Sequence, residues 1–170
     1  ETSFKDITAD DSWQTASNWT LGEVPATGQN VRIEESIVNF EGPLADQNVL
    51  TLNSAALNVL SGSLTTQFLE SNSSTVVISD GAFFTLGGQL DIGSFDPIVG
   101  NGHLGFLSDA DVTVRAANLP ALSNAGQVQF RQGPSSILGD LVNTGTVQLV
   151  SDDSSNLRVA VEGSVENQGL

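Results

Sequence analysis

Two stretches of this chain follow one frame residue for residue: Leu122-Ser-Asn124-Ala-Gly126-Gln-Val128-Gln-Phe130 and Val142-Asn143-Thr-Gly145-Thr-Val147-Gln-Leu149. In each stretch an apolar residue precedes an Asn turn, and a strand of alternating apolar and polar residues follows. Repetition of one small unit is typical of solenoids, because each unit buries its apolar face only by stacking on its neighbours. These stretches therefore predict a stack of short strands.

Looser copies of the same frame occur on both sides of these two stretches. The predicted turn residues of all the copies are Asn72, Asn101, Asn124, Asn143 and Asn167. Successive turn residues are 29, 23, 19 and 24 residues apart, which fits solenoid coils with loops of unequal length. Asn tolerates such turns and can stack as a side-chain ladder inside them. The last copy stops in mid-frame, so we expect further coils beyond Leu170.

A second element recurs between the Asn turns, in which apolar residues flank a Gly. Its central residues are Gly62, Gly88, Gly139 and Gly163. Glycine adopts positive φ without the steric penalty of a Cβ atom. We therefore predict that each of these residues lies where the chain turns a corner of its coil.

The strands are short and alternate in polarity. In the segment 109–115, alternation turns Ala110, Val112 and Val114 inward and the polar residues outward. Because parallel crossovers favour the right-handed sense, the sequence predicts an all-β fold, a right-handed parallel β-helix. An antiparallel β-sandwich and a jelly roll are the alternatives, since both contain short strands at regular spacing. Neither alternative requires the same turn residues to recur.

The first part of the chain does not fit the repeat. We predict an N-terminal cap over residues 1–48 and solenoid coils over residues 49–170. A solenoid needs a cap because an open coil exposes unpaired backbone N–H and C=O groups. Trp13, Trp19 and Pro25 are the predicted structural residues of the cap.

The opening of the chain also resembles a known group of proteins. Ser12-Trp13-Gln-Thr-Ala16-Ser-Asn18-Trp19-Thr-Leu-Gly22-Glu-Val24-Pro25-Ala-Thr-Gly28-Gln-Asn30-Val31-Arg-Ile33 is similar to the W...ANW..G.VP..G..V.I pattern that opens many secreted bacterial repeat proteins. In that group the pattern leads into a β-helix like those of autotransporter passengers and haemagglutinin-type adhesins. The resemblance implies a secreted or cell-surface location and a stalk or adhesive role.

Composition excludes several classes of function. The formal net charge is -15 and the pI is about 4.1, so nucleic acids and anionic membrane surfaces would be repelled. The absence of Cys excludes disulfides, iron–sulfur clusters, thiol nucleophiles and Cys-based zinc sites. No apolar run reaches the length of a membrane helix, so we expect no membrane insertion of this segment.

One outward-facing group of charges is a candidate binding site. Alternation places Asp109, Asp111 and Arg115 on one side of a strand, and Arg131 is the credible addition from a neighbouring coil. Glycan-active β-helix enzymes would need paired carboxylates on such a face, and the segments predicted to neighbour it, 76–79 and 128–131, are poor in acids. We therefore expect no catalytic residues. His103, which follows the Asn101-Gly102 turn, is interpreted as a structural or surface residue.

Calcium is the one cofactor that the sequence leaves open. Asp152 and Asp153 lie in a predicted loop where hard oxygen ligands could gather around a structural Ca²⁺. The Asp10-Asp11 doublet lies in another. No other cofactor is expected.

The predicted function is an extracellular structural or adhesive module without catalysis. The alternatives are a carbohydrate-binding or carbohydrate-active β-helix, and a self-assembling extracellular fibre subunit. The expected partners are surface glycans, receptors on host or neighbouring cells, or copies of the chain itself.

Overall fold

The computed structural model describes residues 1–5, 9–92, 97–150 and 157–169. Their strands pair in parallel and form a β-solenoid of about six turns, which confirms the predicted fold. Apart from the strands, the named elements include one 3₁₀ turn, Ala16–Asn18. The strand register divides each coil into three sides, which we call stacks A, B and C, and along the chain stack A is followed by B, B by C, and C by A of the next coil.

Each stack contains strands from successive coils. The strands, in chain order, are β1 Thr2–Ser3, β2 Asn30–Glu34, β3 Ile37–Asn53, β4 Ala56–Asn72, β5 Thr75–Ile78, β6 Phe83–Leu86, β7 Gln89–Ile92, β8 Ile98–Gly100, β9 His103–Phe106, β10 Asp111–Arg115, β11 Asn118–Leu119, β12 Ala121–Asn124, β13 Gln127–Arg131, β14 Pro134–Ile137, β15 Leu141–Asn143, β16 Thr146–Leu149, β17 Arg158–Val161 and β18 Val165–Asn167. Stack A contains the middle parts of β3 and β4, then β6, β9, β12, β15 and β18. Stack B contains β1, β2, the ends of β3 and β4, then β7, β10, β13 and β16. Stack C contains the starts of β3 and β4, then β5, β8, β11, β14 and β17.

Alternation along each strand produces a dry interior. Ala110, Val112 and Val114 are buried as predicted. The inward positions of successive coils lie above one another in the same way, so that Leu64, Phe84, Leu104, Leu122, Leu141 and Val165 form one row of stack A. Stacked parallel strands are about 4.8 Å apart, so each apolar side chain contacts the equivalents above and below it. This row explains why no single coil folds alone.

The aromatic residues of the N-terminal segment cover the first coil. Trp13 and Trp19 are fully buried, and their rings meet edge to face at 4.9 Å between centroids. Trp19 Nε1 donates a hydrogen bond to the backbone oxygen of Trp13 at 2.8 Å. Trp13 also packs against Phe40, with ring centroids 5.6 Å apart, and Pro25 is buried beside this segment. These contacts shield the interior from water at this end.

The regular stack begins earlier than the predicted boundary at residue 48. Asn30–Glu34 pairs in register with 49–53, and 37–40 pairs in register with 56–59. The first full coil therefore lies inside the segment that sequence reasoning assigned to the cap. The sequence of this coil lacks the Asn turn of the later copies, which is why its repeat was missed.

The Asn ladder is shorter than predicted. Asn124, Asn143 and Asn167 occupy one register position of stack A. Asn124 Nδ2 donates to Asn143 Oδ1, and Asn143 Nδ2 donates to Asn167 Oδ1, each at 2.7 Å. The predicted equivalence of Asn72 and Asn101 with these residues is wrong. Asn72 pairs with position 53 at the end of a stack B strand, and Asn101 lies in the turn before β9.

The predicted glycines lie at corners, but not all at the same corner. Gly62, Gly139 and Gly163 lie between stacks C and A, where Gly163 N donates to Gly139 O at 3.2 Å. Gly88, with φ +62°, lies between stacks A and B instead.

The described residues contain no helix with the length and apolar character needed to cross a membrane.

Candidate functional site

The predicted charged cluster lies on the outer surface of stack B. Arg115 and Arg131 are register neighbours on β10 and β13, while Asp111 lies at the opposite end of β10 and Asp109 in the turn before it. Four residues of extended strand separate Asp111 from Arg115 by about 13 Å. The structure therefore brings the two arginines together and leaves the two carboxylates away from them.

The neighbour of β10 on its other side was misassigned from the sequence. The predicted neighbour, segment 76–79, is wrong, because the structure pairs β10 with β7. Asp91 of β7 supplies the partner that sequence reasoning missed, because Arg115 Nε lies 3.0 Å from Asp91 Oδ2. Arg131 donates from Nε and Nη2 to Gln129 Oε1 at 3.2 and 3.0 Å. Both arginines therefore contact neighbouring polar side chains, as is common on a protein surface, and these contacts do not require a ligand.

The predicted metal ligands Asp152 and Asp153 lie outside the described residues. Within the described part of the chain, no group of three or more His, Cys, Asp or Glu side chains is placed to hold a metal ion. Asp10, from the other predicted doublet, accepts hydrogen bonds from Thr15 Oγ1 at 2.7 Å and from Asn18 Nδ2 at 2.6 Å. This carboxylate therefore has a structural use, fastening the cap segment.

A hollow on the outer surface of stack A is a second candidate site. Its volume is about 390 Å³, within the usual size range of small-molecule sites. Phe83, His103, Gly105 and Ser123 are among the residues that line it. They come from three consecutive coils, since β6 pairs with β9 and β9 pairs with β12. Parallel stacking therefore brings residues about 20 positions apart into one surface.

Small residues create the hollow. Gly105 lies in register between Thr85 below and Ser123 above, all on the outer side of their strands. A Cβ atom on Gly105 would lie 3.0 Å from Thr85 Oγ1, so a side chain here would crowd the neighbouring coil. Ala121, the outward residue above His103, adds only a methyl group. The outer surface is therefore recessed between Phe83 and the later coils.

His103 is held in place at the edge of this recess. Its Nε2 lies 2.7 Å from Ser123 Oγ, and its ring is 5.5 Å from the ring of Phe83. Burial lowers the pKa of His103, and the charge of Asp140 offsets this only in part. The neutral form of the imidazole therefore predominates at pH 7, and a neutral imidazole offers one donor and one acceptor.

Asp140 lies two coils above His103 in the same outward row. It accepts hydrogen bonds from Ser164 N at 2.7 Å and Ser164 Oγ at 2.9 Å, and these bonds lower the pKa of its carboxyl group. Among the described residues, no hydrogen bond joins His103 to Asp140. Within the described part of the chain, the Ser–His pair thus lacks the oriented acid of a hydrolytic triad. What the recess offers is an aromatic face, hydroxyl groups and a neutral imidazole.

Sequence reasoning considered His103 as a turn or surface residue and did not identify the recess. The available signal was spacing: Phe83, His103 and Ser123 lie 20 residues apart in succession, close to one coil. Using this spacing requires the correct register between coils. The wrong assignment of Asn101 to the Asn ladder gave a different register.

Comparisons of the chain with protein-family models, curated proteins and solved structures found no match. The structure shows the β-solenoid fold that the resemblance of the opening segment implies, but these comparisons give no support for an autotransporter or adhesin family, and family membership stays a prediction.

Proposed function

We propose that this chain is an extracellular, non-catalytic module that acts as a rigid support and adheres through its outer surface. The observation that carries the proposal is the in-register stack itself, in which inward rows form a dry core and outward positions are free for contacts. A structure of this kind gives length and rigidity without any moving part. Loops and outward side chains then carry the partner contacts.

Charge and side-chain placement support this proposal over catalysis. Asp111 is remote from Arg115 along its strand, and Arg115 is occupied by Asp91. Glycosidases need two carboxylates on either side of the scissile bond. The high negative charge favours solubility and disfavours polyanionic partners. Surface glycans and cell-surface receptors are the partners that fit.

Adhesion is testable with coated beads in a flow chamber. Beads that carry the folded chain should remain on layers of bacterial or animal cells under shear that removes beads carrying an unrelated acidic protein of similar net charge. Loss of both kinds of bead at the same shear would refute the adhesive role. In parallel, incubation with neutral and uronic-acid polysaccharides should release no reducing ends. Release that disappears in Asp111→Ala would replace the proposal with an enzymatic function.

A further inference from the structure

The recess on stack A places an exposed aromatic ring beside a hollow. Phe83 is 47% exposed although it lies on a strand with two buried neighbours, Phe84 and Leu86. An aromatic ring that stays half exposed beside a hollow offers a flat apolar face to a ligand. The floor beneath it, at Gly105 and Ser123, is small and carries one hydroxyl group.

Hydrogen-bonding groups surround this aromatic face. Ser123 Oγ is bonded to His103 Nε2, and the other ring nitrogen of His103 has no hydrogen-bond partner within the described residues. Thr85 and Thr144 add hydroxyl groups to the lining. A ligand that fits must therefore combine an apolar face with several groups that both donate and accept hydrogen bonds.

The electrostatics of the recess disfavour anions. Asp140 lies close enough to act on the pKa of His103, and burial keeps that imidazole neutral at pH 7. The whole chain carries a net charge of -15. An anionic sugar would meet repulsion with no cation to offset it in the lining.

From this combination we infer that the recess binds an uncharged oligosaccharide, with the apolar face of one pyranose ring against Phe83 and hydroxyl groups bonded to His103, Ser123 and Thr144. Pyranose rings have the required apolar face and equatorial hydroxyls, and a volume of about 390 Å³ accommodates a short saccharide. This inference names the ligand class of the proposed adhesive role, and its biological meaning rests on that role.

The chain contains a single His, so the imidazole proton signals in NMR report on this recess alone. We would titrate the chain with uncharged tetrasaccharides of the cello, malto, xylo and chito series, up to about 10 mM, which is tenfold above a Kd of about 1 mM. At least one series should shift the His103 signals in a saturable way. Tetragalacturonate, an acidic analogue, should leave them unchanged.

Two variants with a matched control locate the binding. Phe83→Ser removes the aromatic face at an exposed position, and we expect binding about tenfold weaker. Ser123→Ala removes one hydroxyl group and should weaken binding several-fold. Phe68→Ser is the control, because Phe68 is 48% exposed and lies outside the recess. It should bind like the parent chain. Circular dichroism would show that all three variants keep their sheet content.

The outcomes separate cleanly. Silent His103 signals across all four neutral series would overturn the inference, as would binding that Phe83→Ser leaves unchanged or a preference for tetragalacturonate. Saturable shifts that Phe83→Ser abolishes and Phe68→Ser keeps would establish the site. Adhesion of the beads to cells without binding of any neutral sugar would refute the inference that the recess binds an oligosaccharide, and would leave the proposed adhesive role unchanged. Sugar binding by a chain whose beads do not adhere would support the site and refute that role.

Discussion

The Asn ladder of stack A is the most informative place to perturb the fold, because it is polar and lies among apolar rows. Asn143 is buried and is the middle member. Its Oδ1 accepts from Asn124 at 2.7 Å, and its Nδ2 donates to Asn167 Oδ1 at 2.7 Å and to Gly145 O at 3.2 Å. The substitution Asn143→Ala removes all three hydrogen bonds at once and adds no new group.

The expected loss follows from these partners. Each net hydrogen bond contributes about 0.5–1.5 kcal/mol, and a buried group left without a partner costs more than an exposed one. Asn124 keeps Gly126 O and Thr146 O as acceptors, and Asn167 is exposed and can bind water. The loss is therefore smaller than for three hydrogen bonds whose partners all remain buried and unsatisfied. We expect the free energy of unfolding to fall by about 2–3 kcal/mol. For a chain of this size that lowers Tm by roughly 4–12 °C.

Equilibrium unfolding in urea, followed by far-UV circular dichroism, measures the change, and amide hydrogen exchange would place it. The matched control is Asn58→Ala. Asn58 Nδ2 donates to Asn39 Oδ1 at 2.9 Å, but this pair lies on the outer side of stack C, where water can replace the bond. We expect a loss within about 0.5 kcal/mol. If Asn143→Ala costs no more than Asn58→Ala, a buried ladder does not stabilise this solenoid and the reasoning is wrong.

Three further predictions concern the corners and the imidazole. Gly62 and Gly22 have similar φ values of +73° and +71°. A Cβ atom on Gly62 would overlap a carbonyl oxygen, whereas one on Gly22 meets nothing within 4 Å. Gly62→Ala should therefore lower the free energy of unfolding, measured in urea, by several kcal/mol more than Gly22→Ala does. Ala116, with φ +48°, should show the opposite sign, with Ala116→Gly raising stability by about 0.5–1 kcal/mol because relief of left-handed strain exceeds the entropy of Gly. The lowered pKa of His103 means that the unfolded chain binds more protons just below pH 6.5, so stability should fall as pH decreases through that window, and His103→Gln should flatten the slope measured by urea unfolding at successive pH values.

The inward pattern could be read from the sequence because burial leaves a period of two. Val112 and Val114 had to face the core, since water on both sides of such a strand would leave its apolar residues exposed. The Asn124 and Asn143 turns could also be aligned, because a Gly and then an alternating strand follow each Asn at the same spacing. Asn72 could not be distinguished from them, as an exposed Asn and a ladder Asn look the same in one sequence.

The corner between stacks B and C shows why the remaining turns were missed. Glu35, Ser54, Ser73, Ala116 and Gln132 all have φ between +48° and +55° there, and none is a Gly. Left-handed backbone at a non-Gly residue is costly alone, so the sequence gives no sign of it. Stacked coils impose it instead, because backbone bonds such as Glu35 N to Asn53 O and Ser54 N to Asn72 O, each 2.9 Å, hold the corner from coil to coil.

The recess was invisible for a different reason, which also bears on how such a fold acquires function. Phe83, Gly105 and Ser123 face outward, where core packing places no demand on residue type. Inward rows specify the solenoid, and outward rows can therefore change without altering it. A binding surface then needs only residues one coil apart, about 20 positions in sequence and about 4.8 Å in space. In this chain Gly105 supplies the space and Phe83 the contact face, so the site is a local change in side-chain volume on an otherwise regular wall.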